Sequence, residues 1–167
     1  MSIAALANKP KRPLAGIETA GFIVGGALLI WSGYIHFHLW NAAGYRHIRI
    51  IGPLFIMQSV SALLLGLAAI ITRRLLATVL GFGFAALTLM GFLISVTQGL
   101  FGFKDSWLAP DARIAFIVEV AAFVVLLATT ALVLLRKSTR SQSIYESPEA
   151  AALRRTKFKC GTRTTQT

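Results

Sequence analysis

The sequence predicts an all-α membrane protein, a bundle of four transmembrane helices with both termini in the cytoplasm. Composition is the first reason: 56% of the residues are hydrophobic, 14% are charged and the mean hydropathy is +0.70, which lies outside the range of soluble globular domains. The second reason is the presence of four apolar runs that each reach the ~20 residues a helix needs to cross a bilayer. The third is the uneven placement of lysine and arginine along the 167-residue chain.

The four apolar runs define the predicted spans. They lie at about 16–40, 50–72, 75–98 and 112–135, within a transmembrane domain of residues 16–136. Because each run is continuous and lipid cannot hydrogen-bond an exposed backbone, helices are predicted in place of barrel strands. The first run follows a basic segment at residues 1–15, but it is longer than the ~7 to 15 residues of a signal-peptide core. It is therefore predicted to remain as a helix.

Basic residues are divided unequally between the two sides of the predicted bundle. Thirteen of the 17 lie before the first span, between the second and third spans, or after the fourth. The other four are Arg46, Arg49, Lys104 and Arg113, in the loops after the first and third spans. The positive-inside rule places the more basic side in the cytoplasm. We therefore expect a multi-pass protein of the plasma (inner) membrane whose N and C termini are cytoplasmic.

The C-terminal segment, residues 137–167, is rich in Ser, Thr, Lys and Arg and is predicted to be a disordered cytoplasmic tail. Its basic residues are expected to contact anionic lipid heads or, alternatively, only to fix the topology. No nucleic-acid-binding motif accompanies the net charge of +11, so no nucleic-acid partner is expected. Cys160 is the only cysteine, which excludes an internal disulfide and a cysteine-ligated metal site.

Polar side chains inside a predicted span are costly, by roughly 2.5 kcal/mol or more for a charge at the helix centre. Such residues here are Glu18, His36, His38, Gln58, Gln98 and Glu119. Helical periodicity places His36 on the same face as the small residues Gly25 and Ser32. His38 points about 200° away from His36, so the two histidines cannot chelate one ion. We assign His38 to the outer aromatic belt.

The predicted helix faces bring three of these polar residues together in the outer half of the membrane. Gln58 shares a face with Ala62, and Glu119 shares one with Ala122, as expected for inward faces lined by small residues. His36 completes the predicted cluster, and Gln98 lies at the outer end of the third span. The candidate ligand-binding residues are therefore His36, Gln58, Glu119 and Gln98.

Three interpretations of this cluster are open. Its members hydrogen-bond one another and fix the helix register, or they bind a quinone, a lipid head or a metal, or they carry protons or ions. A metal set of His36, His47 and Glu119 requires the loop after the first span to fold back. A bis-histidine haem is not expected, because all three histidines lie within residues 36–47. The first expectation is that no cofactor is bound.

No catalytic residue is assigned, and an enzyme is the less favoured class. The sequence contains no nucleophile-elbow, metalloprotease, P-loop or dinucleotide-binding motif. Its many glycines lie inside apolar spans, without the strand-to-helix context that would make them phosphate-binding turns.

The two outer loops carry residues expected at the membrane interface. These interfacial anchors are Trp40, Tyr45, Arg46, Phe101, Phe103 and Trp107. The loop after the third span, QGLFGFKDSWLAPDAR, is unusually apolar. We expect this loop to lie in the interface, with a lid above a site as the alternative. Asp111 is predicted in the N-cap region of the fourth helix.

The same loops carry a resemblance. The stretches GYRHIRIIGPLF after the first span and QGLFGFKDSW after the third, with a glutamate near the start of the fourth, are similar to a family of small four-helix integral membrane proteins common in actinobacteria. The resemblance covers roughly residues 20–136 and excludes both tails. It implies the four-helix topology and a bacterial plasma membrane, and it implies no particular activity.

Function is predicted only at the level of a class. The first expectation is a non-enzymatic structural or accessory subunit that packs against other membrane subunits through small-residue faces such as that of the third span. The alternative is a ligand-binding or redox-active bundle whose outer-leaflet pocket takes a quinone, a lipid or a metal. A small transporter comes third, because four short helices show no clear internal repeat and no broken pair of spans.

Overall fold

The computed structural model of the protein describes the backbone of residues 13–145 and the side chains of residues 16–139. Its elements are α1 (Pro13–Ala42), a short 3-10 helix (Tyr45–His47), α2 (Ile51–Thr72), α3 (Leu75–Thr97) and α4 (Pro110–Tyr145). Each of the four α-helices contains a segment long and apolar enough to cross a membrane. The predicted all-α class with four candidate spans is confirmed, and it is consistent with a multi-pass membrane protein.

The ends of α1, α2 and α3 lie close to the predicted span ends, whereas α4 differs at both ends. It begins at Pro110, a residue suited to the first helical position, so Asp111 lies in the first turn and does not cap the helix. The helix continues past the predicted end at 135 as far as Tyr145. The sequence RKSTRSQSIY contains neither glycine nor proline, and extending a formed helix is easier than starting one. Residues 137–145, predicted as disordered, are therefore helical.

The chain divides into two units, residues 1–130 and residues 131–167. The first unit contains the described bundle, and the second contains the remainder of α4. The predictions for the basic N-terminal segment, for Cys160 and for lipid contacts of the tail beyond 145 concern residues outside the described range.

Helices α1 and α2 pack backbone to backbone at glycines. A Cβ atom added to Gly26 would lie 2.6 Å from the carbonyl oxygen of Gly66, and one added to Gly66 would lie 2.6 Å from that of Gly26. Nearer the other end of the pair, Gly33 packs in the same way against the carbonyl oxygen of Ser59. Since the residue numbers rise along one helix as they fall along the other, α1 and α2 are antiparallel. Small residues at such crossings let two helices approach closely.

Helix α4 also packs against α1. Gly21 faces Thr129 and Gly25 faces Leu126, so these two helices are also antiparallel. Leu126 also packs against Gly81 of α3 and forms the centre of the core with Leu29 of α1. The four helices therefore run alternately up and down.

The two ends of the bundle differ in their connections. The tight turn at Arg73 and Arg74 joins α2 to α3 at the end where α1 begins. The 3-10 helix and the α3–α4 loop, residues 98–109, lie at the opposite end, which we call the loop end. The candidate site lies toward this end of the bundle.

Candidate ligand-binding cavity

A buried carboxylate joins three helices inside the bundle. The Oε1 atom of Glu119 on α4 accepts hydrogen bonds from Ser32 Oγ on α1, at 3.2 Å, and from Gln58 Nε2 on α2, at 3.3 Å. His36 Nε2 on α1 lies 3.6 Å from the same oxygen. Glu119 is only 4% exposed. We call Ser32, His36, Gln58 and Glu119 the polar cluster.

The orientation of the His36 ring is fixed from within its own helix. Its Nδ1 atom lies 2.9 Å from the backbone carbonyl oxygen of Ser32, which can only accept, so Nδ1 carries hydrogen and donates it. The Nε2 atom is left to face Glu119 at a distance longer than a good hydrogen bond. If Nε2 and the carboxyl group share one proton, the pair has no net charge. A pair without net charge has a lower free-energy cost in apolar surroundings than a single charged group.

Helical periodicity explains why the cluster forms. The faces predicted to be inward are inward: Ala62, which shares a face with Gln58, and Ala122, which shares one with Glu119, are both 0% exposed. His36 and Ser32 are four residues apart and point the same way. The predicted grouping of His36, Gln58 and Glu119 is therefore present in the structure, with Ser32 as an additional member.

Other predicted polar residues lie elsewhere. Gln98 is exposed at the C-terminal end of α3 and does not line the cavity described below. His38 is exposed, with its ring centre 6.4 Å from that of Tyr34. Glu18 is half-buried in the first turns of α1.

The predicted metal set of His36, His47 and Glu119 is not assembled. His47 is exposed on the 3-10 helix, where the Nε atom of Arg46 donates a hydrogen bond to its Nε2 atom at 3.1 Å. Within residues 13–145, no three histidine, cysteine, aspartate or glutamate side chains come together as metal ligands. The loop after α1 does not fold back far enough to bring His47 to the polar cluster.

A cavity of about 480 Å³ adjoins the polar cluster. His36, Gln58 and Glu119 form part of its wall. Much of the remaining wall is aromatic or aliphatic, with Phe84 and Phe92 among the residues that α3 contributes. Pockets that bind small molecules in proteins are typically ~300 to 1,000 Å³, mostly apolar, with a few polar groups that fix orientation. This cavity has both the size and the lining of such a site.

The exposure of residues in the cavity wall indicates a sideways opening between α2 and α3. Met57 on α2 and Leu87 on α3 both line it, and they are 59% and 63% exposed. These side chains lie on the apolar flank of the bundle, at the level of the candidate spans. A ligand can therefore reach the polar cluster from the side of the bundle.

At the loop end the cavity is covered by the α3–α4 loop. Leu100, Phe103 and Asp105 from this loop line the cavity. Leu100 and Phe103 exchange two backbone hydrogen bonds, of 2.7 and 2.9 Å, around a two-residue turn. The two central residues, Phe101 and Gly102, have φ values of 51° and 81°, as a type I′ turn requires. Of the two roles considered for this loop, its position favours the lid.

Tyr45 connects this loop to the 3-10 helix. Its ring stacks on Phe55 at 4.8 Å and meets Phe103 edge-on at 5.5 Å. Its hydroxyl group donates a hydrogen bond to Asp105 at 3.5 Å. Burial, and secondarily the negative charge of Asp105, raise the pKa of Tyr45 to about 12. Tyr45 and Phe103, predicted as interfacial anchors, therefore pack over the cavity.

The other predicted anchors remain on the surface. Arg46 and Phe101 are exposed, and Trp40 is half-buried with its ring stacked on Phe37 at 5.9 Å. Trp107 is 43% exposed and meets Phe92 edge-on. For these four residues an interfacial role stays a prediction.

Sequence reasoning missed four polar residues of the cavity wall, Ser61, Thr88, Ser95 and Asp105. Serine and threonine can form a hydrogen bond to a carbonyl oxygen of their own helix, so their presence in a span does not indicate a site. Asp105 lies in a loop, where no periodicity indicates which side chains turn inward.

Comparison with known proteins finds no match for this chain among family models, curated proteins or solved structures. The resemblance to the actinobacterial four-helix family stays a prediction, and the candidate function rests on the geometry of the cavity.

Proposed function

We propose that this protein is an integral protein of the bacterial plasma membrane that binds a lipid-soluble small molecule carrying a polar head group. The observation that carries the proposal is the 480 Å³ cavity, which connects the polar cluster to an opening on the apolar flank of the bundle. The aromatic wall suits the apolar part of a ligand, and the cluster of His36, Gln58 and Glu119 suits its head.

Ser95 adds a polar group to the cavity wall. The residue is 7% exposed and lines the cavity. Its hydroxyl oxygen is not a fully buried atom without a partner, since Thr130 Oγ1 is the one such side-chain atom within the described residues. The Ser95 hydroxyl group can therefore form a hydrogen bond with a ligand head in the cavity.

We place the loop end of the bundle on the outer side of the membrane and both termini in the cytoplasm. This placement rests on the distribution of basic residues, including Arg73 and Arg74 at the opposite end of the bundle. The bilayer is then the principal partner, and anionic lipid heads attract the basic tail. The cavity occupies the outer half of the membrane in this orientation.

A cavity-filling variant tests the binding function. A Cβ atom added to Gly91 meets nothing within 4 Å, and Gly91 lines the cavity, so Gly91→Leu places an apolar side chain at the cavity wall and should reduce the space for a ligand. Gly83 lies on the same helix with the same free space but does not line the cavity, which makes Gly83→Leu the matched control. Each protein would be extracted into lipid nanodiscs, and its bound small molecules identified by mass spectrometry.

We expect one class of molecule to copurify with the unmodified protein and with Gly83→Leu, and to be depleted from Gly91→Leu. Equal recovery from all three proteins would contradict the proposal, because the molecules would then be bulk lipid. The accessory-subunit and transporter roles stay predictions, since no contact within the described residues bears on either.

A further inference from the structure

We infer that the cavity is selective for a lipophilic cation, a molecule in which apolar groups surround one positive charge, over an anion of the same shape. The inference rests on the proposed binding function and names the class of ligand. Two features of the wall carry it: the sign of its charges and its aromatic rings.

The charges on the cavity wall are acidic although the chain as a whole is strongly basic. Of the four acidic side chains described within residues 16–139, Asp105 and Glu119 line the cavity, whereas none of the eight lysines and arginines described in the same range does. With one proton shared between Glu119 and His36, that pair has no net charge, and Asp105 leaves the cavity negative. In apolar surroundings an anionic ligand would be repelled and a cation attracted.

Aromatic rings line the cavity from several directions. Five phenylalanines contribute to its wall: Phe55, Phe84, Phe92, Phe103 and Phe116. The face of an aromatic ring attracts a cation, most strongly where water is excluded. An anion gains nothing from a ring face, so each ring that turns its face to the cavity acts in the same direction as the charge of Asp105.

A pair of probes with opposite charge tests the inference. Tetraphenylphosphonium and tetraphenylborate have nearly the same shape and size, and they carry one positive and one negative charge. Their saturable binding to the full-length protein in detergent would be measured by equilibrium dialysis. We expect the cation to bind at least about tenfold more tightly than the anion, as charge complementarity in apolar surroundings requires.

A charge-removing variant locates the effect. Asp105→Asn keeps the side-chain shape, removes the negative charge and should weaken binding of tetraphenylphosphonium by about tenfold or more. Asp111→Asn is the matched control, because Asp111 is exposed in the first turn of α4 and does not line the cavity. Elution profiles and thermal unfolding would verify that each variant is folded. The comparison of the two ions on the unmodified protein decides the test even where a variant fails to fold.

Equal binding of both ions, or tighter binding of the anion, would overturn the cation inference. Loss of both ions in Gly91→Leu would then still support the binding function. Saturable binding of neither ion would also overturn the inference, whatever molecule copurifies with the protein. The cation inference and the proposed binding function can therefore be contradicted independently of each other.

Discussion

Ser32 on α1 donates a hydrogen bond to Glu119 on α4 at 3.2 Å, although 87 positions separate the two residues in the sequence. Both side chains are buried, with 1% and 4% of their surface exposed. The bond fixes the register of α1 against α4 at the level of the cavity. It also holds the carboxyl group in place for His36 and Gln58.

The first prediction concerns the strength of this bond. Ser32→Ala should lower the free energy of unfolding by about 0.6 to 1.7 kcal/mol, the range measured for hydrogen bonds between membrane helices. Thr97→Val is the control, because the Thr97 hydroxyl is exposed and bonds only carbonyl oxygens of its own helix. Unfolding in mixed micelles would be followed by circular dichroism. Equal effects of the two substitutions would contradict a bond between helices.

The second prediction concerns the contact between α1 and α2. Gly26→Ala should destabilise the bundle by about 1 to 3 kcal/mol, because the added Cβ would meet the backbone oxygen of Gly66, which cannot rotate away. Gly83→Ala, which meets open space, should be neutral or stabilising by up to about 1 kcal/mol through helix propensity. Melting temperatures from fluorescence-detected size exclusion would compare them. A Gly26→Ala variant as stable as the unmodified protein would show that the two helices are further apart.

The third prediction concerns the turn that carries the lid. Phe101 adopts a positive φ that costs a residue other than glycine about 1 to 2 kcal/mol. Phe101→Asn creates the Asn-Gly pair favoured in type I′ turns and should raise the melting temperature in detergent. A fall would mean that the exposed Phe101 ring contributes more as an interfacial anchor than its backbone strain costs.

The fourth prediction concerns pH. The pKa of Tyr45 is raised to about 12, so the folded state holds the phenolic proton more tightly than the unfolded state, whose ordinary value is about 10. The stability linked to this proton is therefore fully present below pH ~10 and is lost as the pH rises toward 12. Absorbance at 295 nm should show a late tyrosine ionisation. Tyr45→Phe should remove this late phase, and Tyr34→Phe should leave it unchanged. The reverse result would contradict the assignment of the late phase to Tyr45.

The fifth prediction concerns orientation. In a Cys160→Ser background, a cysteine at Ser106 in the α3–α4 loop should react with an impermeant maleimide on intact cells. A cysteine at Thr72, beside the α2–α3 turn, should react only after the cells are permeabilised. Both residues are exposed, so access to the reagent and not burial decides the outcome. The opposite labelling pattern would contradict the proposed topology and would place the α3–α4 loop in the cytoplasm.

Sequence periodicity predicted the polar cluster because side-chain direction in a regular helix follows from residue number alone. His36, Gln58 and Glu119 are also costly inside a membrane, which makes them visible against an apolar background. The sequence favoured an interfacial role for the α3–α4 loop, with a lid as the alternative, so it did not predict that this loop lines the cavity. Its position depends on two residues with positive φ and on the contact between Tyr45 and Phe103, which are far apart in the sequence.

The length of α4 was also underestimated, because hydropathy indicates where a helix leaves the apolar phase and not where it ends.

The exposed residues Met57 and Leu87 in the cavity wall determine which concentration controls occupancy of the cavity. A ligand that enters between them comes from the bilayer, so occupancy depends on the number of ligand molecules per lipid and not on the ligand concentration in the buffer. Diluting proteoliposomes with buffer would then leave the cavity filled when the ligand partitions strongly into lipid. Adding ligand-free vesicles would lower the number of ligand molecules per lipid and would therefore lower the occupancy of the cavity.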